Sequence, residues 1–497
     1  MTDPKLFPRR VRYAGLVTLN CFVFIGNMYA SGIPTGFESL GADLHVPMAK
    51  LTDLVSYTVM TMGLCNLFWM PLALCIGKRP AVVLSLAMFV GGQIWTCVAK
   101  DYNSLMGARV FSAFGLGSVE SIGPSILADM FYEKDYASAM ATYAFFLAGG
   151  SQIGPVIAGY LIKARGWRWF FILCLILSAV NLVTTFFFLP ETLYEPDDAE
   201  EPATESDKEP TGHIEAVPVR AAFDYSTYWQ SLFTLRLSKG ARKHGVFKYF
   251  AMVFILPLPM ILIPGVLLAL MMYGVALGAY VQPPQSPCRT QTMWEKRANN
   301  PSTVSMSALG PTLLSPPPYL FSSAALGLFS LSSFIGILVA FPIAGPLTDL
   351  LSRTLRRRNN NIHKPEHRIP ALIVPFVISP IGLIIFGEAI SQHMHYAVAA
   401  VGQAMATASL ALVPSVMLSY VVDAYPHTSG EALVLVNASK NVVAFGLTKG
   451  SYAWMEMEGV RKMFFEFAGI QWAVLFLGLP LYVFGPWVRR RMEKLGL

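Results

Sequence analysis

Charge is what this sequence is short of. Asp, Glu, Lys and Arg make up 13% of its 497 residues, roughly half the share in soluble domains and too few to coat a globule of this size with hydrated groups. Cysteine is scarce too. Of the 6 cysteines, Cys21, Cys65, Cys75, Cys97 and Cys174 fall in apolar runs and only Cys288 lies outside them, which excludes a disulfide framework. The 39 glycines follow no period, so collagen is excluded, and a chain this apolar is not disordered. No His-Glu-x-x-His, Gly-x-Ser-x-Gly or Gly-x-x-x-x-Gly-Lys-[Ser/Thr] occurs; the first two absences speak against a membrane enzyme, and the last removes the phosphate loop needed to hydrolyse ATP. No cofactor and no metal are expected.

Apolar residues are what the chain has, at 54% with a mean hydropathy of +0.50, so the bilayer is its solvent. A helix needs about 20 mostly apolar residues to cross the hydrocarbon. Twelve such runs can be placed: Tyr13 to Gly36, Leu51 to Ile76, Ala81 to Ala99, Ser104 to Met130, Ala137 to Lys163 and Trp169 to Pro190, then Phe250 to Val281, Ser322 to Leu350, Ile369 to Ser391, Tyr396 to Asp423, Gly430 to Trp454 and Phe464 to Trp487. The fold class that follows is an all-α membrane protein, with 12 transmembrane helices in two six-helix bundles.

The net charge of +7 raises the question of nucleic acid, but the basic residues cluster at helix ends, which is the pattern of membrane insertion. Sorted by side, 24 of the 37 fall on the side of the N-terminus and 10 on the other, which makes both termini cytoplasmic. The expected organisation is a cytoplasmic tail (1–12), a six-helix bundle (13–190), a cytoplasmic linker (191–249), a second bundle (250–487) and a final tail (488–497). The linker opens with acids from Glu195 to Glu209 and closes with bases from Arg236 to Lys248. An outer loop at 282–318, with Pro316, Pro317 and Pro318 in a row, should be irregular.

Motifs at the cytoplasmic turns suggest duplication. After span eight the chain reads Gly345-Pro-Leu-Thr-Asp349-Leu-Leu-Ser-Arg353; after span two, Met70-Pro-Leu-Ala-Leu74-Cys-Ile-Gly77-Lys78-Arg79. Span four ends in Ala128-Asp129 and span ten in Val422-Asp423. Each acid taken singly could be a helix-end carboxylate in headgroup water. Span four carries Arg109-Val-Phe-Ser-Ala-Phe-Gly115, and span five carries Gly150-Ser-Gln-Ile-Gly154-Pro155-Val-Ile-Ala-Gly159. Together with Trp167-Arg-Trp169 and Pro190-Glu191-Thr192, these residues resemble the major facilitator superfamily, and within it the fungal drug:proton antiporters with twelve spans. The resemblance covers nearly the whole chain. It implies gating roles for Gly77, Lys78, Arg79, Asp129, Gly345, Asp349, Arg353 and Asp423, and an exchanger signature in Gly150, Gly154, Pro155 and Gly159. Two departures stand out: Leu74 replaces the first-half Asp, and the Pro-rich outer loop is foreign to the pattern.

Charges inside spans are costly, at roughly 2.5–3.5 kcal/mol each on insertion scales. Glu120 sits near mid-membrane in span four and is the expected proton or cation site, since burial penalises the ionised carboxylate; the other reading is a structural carboxylate bonded to Ser or Gln neighbours. Arg109 is eleven residues earlier, which returns to within about 20° of the same face, so both should line one surface; alternatively it snorkels to the headgroups. In span eleven, Lys440 lies with Asn437 and Asn441, a stripe continued by Thr448, which could serve a solute or only helix packing. The expected function is a secondary transporter working by alternating access: proton-coupled efflux of a small organic compound such as a drug, toxin or secondary metabolite. The runner-up is uptake of organic cations such as polyamines, with a channel or membrane enzyme disfavoured. Its partners would be a small-molecule substrate, protons and the lipid bilayer, with no nucleic acid, and the chain is expected as a monomer in the plasma membrane. The topology is checkable: epitope tags at both termini should be reached by antibody only after the cell is permeabilised, and one tag reached from outside would refute the even span count.

Overall fold

The computed structural model describes residues 4, 7–193, 237–278, 321–359, 364–425 and 429–493. The expected outer loop and most of the linker therefore lie outside the described residues. Within them the chain is helical throughout, with no strand. Span one is Arg9–Gly32, extended by a 3-10 turn into Phe37–Leu44; spans two and three are Asp53–Ile76 and Lys78–Val98; spans five and six are Glu133–Arg165 and Trp167–Phe188. In the second half, span eight is Ser323–Arg358, span nine Ile373–Ser391 and span eleven Ser429–Glu458. Span twelve begins at Val460–Phe476 and continues in Gly478–Glu493.

The helices are apolar on their outer faces as well as their inner ones, as bilayer helices must be. Span six exposes Ile176, Val180, Val183 and Phe188 while burying Phe170, Phe171 and Cys174. Ten helices among the described residues are long and apolar enough to cross a membrane, and a bent pair makes an eleventh candidate. Span eleven contains the apolar stretch Ala432–Leu447, which carries Lys440. The cost of that lysine has to be met by a partner.

The bent pair corrects one expectation. Instead of a single crossing from Phe250, Val246–Leu262 meets Pro264–Leu277 at 90°. Pro257, Pro259 and Pro264 crowd the corner; each lacks an amide donor and clashes with the preceding turn, so a continuous helix cannot form there. The first arm, Val246–Ile255, buries no residue. It is fastened to the first half instead, through Phe250 against Phe68, and the chain just before it is held by Ser238 N–H donating to the Cys75 carbonyl at 3.1 Å. Pro264–Gly278 is then the span-seven helix.

Spans four and ten break at matching places. Span four is Tyr102–Leu116 and Ser118–Met130, and span ten is Tyr396–Thr407 and Ser409–Ala424. Each break lies near the middle of its span, so the duplication legible at the turns extends to the membrane centre.

The halves meet closely on the side away from the termini. Gly159 of span five lies against the Ser323 and Ala324 backbone of span eight, and Gly327 lies against Pro155 and Val156. Tyr57 packs on Phe445 with ring centroids 5.6 Å apart. At mid-membrane, a methyl at Gly63 of span two would stand 2.5 Å from Asn441 Cβ of span eleven, so the two helices touch there with no room for a side chain. Gly327→Leu should therefore force spans five and eight apart while sparing each half. Reaction of an engineered cysteine at Ser323 with a membrane-impermeant thiol reagent should rise several-fold, and an unchanged rate would contradict this packing.

Candidate functional site

Glu120 is the centre of the polar groups that join the halves. Its position follows from Gly117 just before it, whose missing side chain lets span four sit against Met62 and Cys65 of span two. Glu120 Oε2 lies 3.3 Å from the Lys440 ammonium and accepts from Asn441 Nδ2 at 3.1 Å and Asn66 Nδ2 at 3.3 Å. Lys440 in turn donates to the Tyr273 hydroxyl at 3.3 Å and stands 4.6 Å from that ring's centroid. The pair is nearly enclosed, with 6% of the Lys440 side chain and 11% of the Glu120 side chain exposed. Here the attraction is little screened, and the loss of either charge would strand the other.

The structure thus brings Glu120, Lys440 and Asn441 together across spans four and eleven. Asn437, one turn earlier, is half-buried and makes no bond to Glu120. Two participants escaped the sequence reading. Asn66 and Tyr273 are ordinary neutral residues in apolar runs, and only the packing of spans two and seven on span eleven gives them a role. The one available signal was that an asparagine within a span needs a partner.

Arg109 does not share the surface of Glu120. It is fully buried inside the first half, donating to the carbonyls of Tyr29 at 2.9 Å and Ala30 at 3.2 Å and lying over the Tyr29 ring at 4.6 Å. The Tyr29 hydroxyl continues inward to Thr96 and Ser112. Helical phase does not decide which neighbours a side chain reaches: Arg109 turns to span one while Glu120 turns to span eleven. Arg109 does not snorkel either, because span-one carbonyls take its donors before it could reach the headgroups.

Toward the termini, each half carries an ion pair. Lys78 Nζ meets Asp129 Oδ2 at 2.5 Å and also donates to Ser125 at 2.7 Å, while Arg368 Nε meets Asp423 Oδ2 at 2.6 Å. The pairs correspond: in both, a base from the turn before span three or nine holds the acid ending span four or ten. The repeat had pointed to Arg353 in the second half, but Arg353 is exposed. The 3-10 turn Pro365–Leu372 delivers Arg368 in its place, which spacing from Gly345 could not show. A Cβ at Gly345 would meet nothing within 4 Å, and the Asp349 side chain lies outside the described residues. The absence of an acid at Leu74 does not prevent a symmetric arrangement, because Asp129 and Asp423 form corresponding pairs.

Gly77, at φ +104°, makes the turn that starts span three. Glu191, just past span six, accepts from the amides of Lys78 at 3.1 Å and Arg79 at 3.3 Å, a carboxylate at a helix N-terminus as the helix dipole favours. Arg79 donates to the Phe186 carbonyl at 2.7 Å. The second half inverts the signs: Glu366 sits in the turn and Arg489, near the end of span twelve, reaches it at 3.5 Å. In span five, Gly150 and Gly154 pack on Phe24 and Met28 of span one, inside the first half, and only Gly159 faces the second half. Helix Glu133–Arg165 continues through Pro155. Where span eleven leaves the membrane, a hydrogen bond from Lys462 holds the Glu458 carboxyl below its usual range.

This architecture can be compared with known proteins. The family model described as Major Facilitator Superfamily matches residues 17–448. The chain belongs to that superfamily. Among superfamily relatives, an uncharacterized MFS-type transporter of Schizosaccharomyces pombe is 20% identical over 96% of this chain and 84% of its own length. Efflux pump radE of Floropilus chiversii is 21% identical over 97% of this chain and 81% of its own. Among solved structures, the partially occluded inward open conformation of the xylose transporter XylE from E. coli superposes with a TM-score of 0.62 at 11% identity, covering 95% of this chain and 97% of that one. The superfamily fold of two six-helix bundles is shared, and the chain is a multi-pass membrane transporter, not an enzyme.

The reassigned pair gives a discriminating test. Arg368→Gln should destabilise the purified protein by on the order of 1–3 kcal/mol, the usual worth of a charged hydrogen bond, while Arg353→Gln should change little. A thermal-unfolding comparison in which Arg353→Gln is the damaging variant would reverse the assignment.

Proposed function

We propose that this transporter exports a small organic compound in exchange for protons, with Glu120 as the group that proton and solute contend for. The observation carrying this reading is that Glu120, in the first half, is held by Lys440 and Asn441 of the second. An ionised Glu120 ties the halves together at mid-membrane. Protonation removes the charge that Lys440 pairs with and weakens the acceptor for both asparagines, so the tie loosens and the halves are free to rock. A solute donor at Glu120 needs the ionised oxygen and a proton consumes it, so the two exclude one another; such competition is what exchange requires.

The direction of transport rests on likeness. A relative spanning nearly the whole chain is named an efflux pump, and the span-five signature from Gly150 to Gly159 resembles that of exchangers. The plasma membrane is the site we propose for this activity. The Lys440 ammonium already occupies the counter-charge that uptake of an organic cation would need, which sets that alternative lower.

The test uses inside-out vesicles holding the wild-type chain or Glu120→Gln, with candidate compounds supplied under an imposed pH gradient. One proton moving across 100 mV supplies about 2.3 kcal/mol, enough to sustain a roughly fiftyfold solute ratio. Wild type should accumulate at least one compound when the gradient is applied and lose it when the gradient is collapsed. Glu120→Gln, present at equal amounts in the membrane, should show no gradient-driven accumulation. Coupled flux unchanged in the variant would remove Glu120 from the mechanism.

A further inference from the structure

The bonds at Glu120 are unevenly distributed between its two oxygens. Lys440, Asn441 and Asn66 all converge on Oε2, and among the described residues no hydrogen bond reaches Oε1. A second acceptor without a donor among the described residues belongs to Asn66, which touches Glu120 through its amide nitrogen. Asn66 is fully buried, and its Oδ1 has no donor. Its Nδ2 is committed to the Met62 carbonyl at 3.2 Å and to Glu120, so the orientation of the amide is set by its partners. A buried amide oxygen left bare is costly unless something donates to it.

The charges around these acceptors cancel. Glu120 contributes one negative charge and Lys440 one positive, and the other groups in contact are neutral: Asn66, Asn441 and Tyr273, with Cys65 beside Gly117 and Tyr143, whose hydroxyl donates to the Val119 carbonyl. Arg109 is turned into the first half and spends its donors there. An arriving cation would either displace Lys440, leaving that ammonium with only Tyr273, or add to it and leave a net positive charge in an enclosed place. An anion at Lys440 would do the same to Glu120. Either way one buried charge is left without its counter-ion.

We infer that the site selects solutes of zero net charge, uncharged or zwitterionic, that donate hydrogen bonds to Glu120 Oε1 and Asn66 Oδ1. This rests on the reading that solutes pass by Glu120, and it adds the class of solute. Selection works by penalising the wrong charge as much as by holding the right solute. The preference is set by the sum of two side-chain charges, so it can be shifted in both directions. Lys440→Met leaves a negative site that takes cations, Glu120→Gln leaves a positive site that takes anions, and the double variant is neutral again.

The experiment measures binding by thermal stabilisation of the full chain in nanodiscs, using four probes with a common ring: phenylalanine as zwitterion, 2-phenylethanol as uncharged compound, 2-phenylethylamine as cation and 3-phenylpropionate as anion. The ring suits the aromatic cluster that Phe68 and Trp69, within a turn of Asn66 on span two, form with Phe114 of span four. Wild type should bind the two net-neutral probes at least tenfold more tightly than either ion. Lys440→Met should rank the cation first, Glu120→Gln the anion, and the double variant should return to the wild-type order; it also serves as the control for folding, since it leaves no stranded charge. A ranking that stays the same in all four proteins, or a wild type that prefers an ion, overturns the inference while leaving proton coupling untouched. If instead the ranking shifts as described but Glu120→Gln retains gradient-driven flux, the coupling reading fails and the charge selection stands. Absence of binding by every probe to every protein would refute a solute site at this place.

Discussion

One buried ion pair constrains much of what the rest of the molecule can do. Glu120 and Lys440 come from opposite halves, and each is nearly removed from water. Neither would be tolerable alone at the bilayer centre, where an isolated charge has no solvent to fall back on, whereas together they cancel. Breaking such a pair typically costs on the order of 3–5 kcal/mol, comparable to the free energies that separate conformations of a carrier. An interaction of this size sited on the boundary between moving bodies couples local chemistry to global shape.

The surroundings of the pair explain how spans four and eleven are held in range. Gly63 lets span two lie directly on span eleven at Asn441, and Gly117 lets the break in span four lie on span two. Span two is therefore a spacer that meets each neighbour through one glycine, its own Gly63 against span eleven and Gly117 of span four, and it adds Asn66 as a third hydrogen-bond donor. Away from this centre the halves are stiffened separately. Arg109 binds spans four and one within the first half, and the Lys78–Asp129 and Arg368–Asp423 pairs secure corresponding corners of the two bundles. Rigid halves joined, among the described residues, by one charged link are suited to rocking about that link.

The two ends of the assembly differ in character. On the side away from the termini, contact is by backbone against glycine, as at Gly159 and Gly327, a close approach without polar commitment. On the side of the termini, the first half reaches the arm Val246–Ile255 that leads into the second half through Phe250, and the chain just before that arm through Ser238. That arm turns through 90° before span seven, so the link between the halves includes a bend.

Composition and apolar run length determined that the chain is a membrane bundle, because a backbone in hydrocarbon has few permitted forms and each crossing needs its quota of apolar residues. The cost of a charge in that setting also marked Glu120 and Lys440 as residues with a purpose, and the repeated turns marked Asp129 and Asp423. Only tertiary structure decided who meets whom. Glu120 and Asn441 are 321 positions apart, and helical periodicity says which residues share a face but not which faces meet. Asn66 and Tyr273 were silent for that reason. Arg109 was misplaced because helical phase does not say which neighbour takes a side chain's donors, and span-one carbonyls take those of its terminal nitrogens. Arg368 took the place expected of Arg353 because a 3-10 turn, which hydropathy does not register, brings it to Asp423.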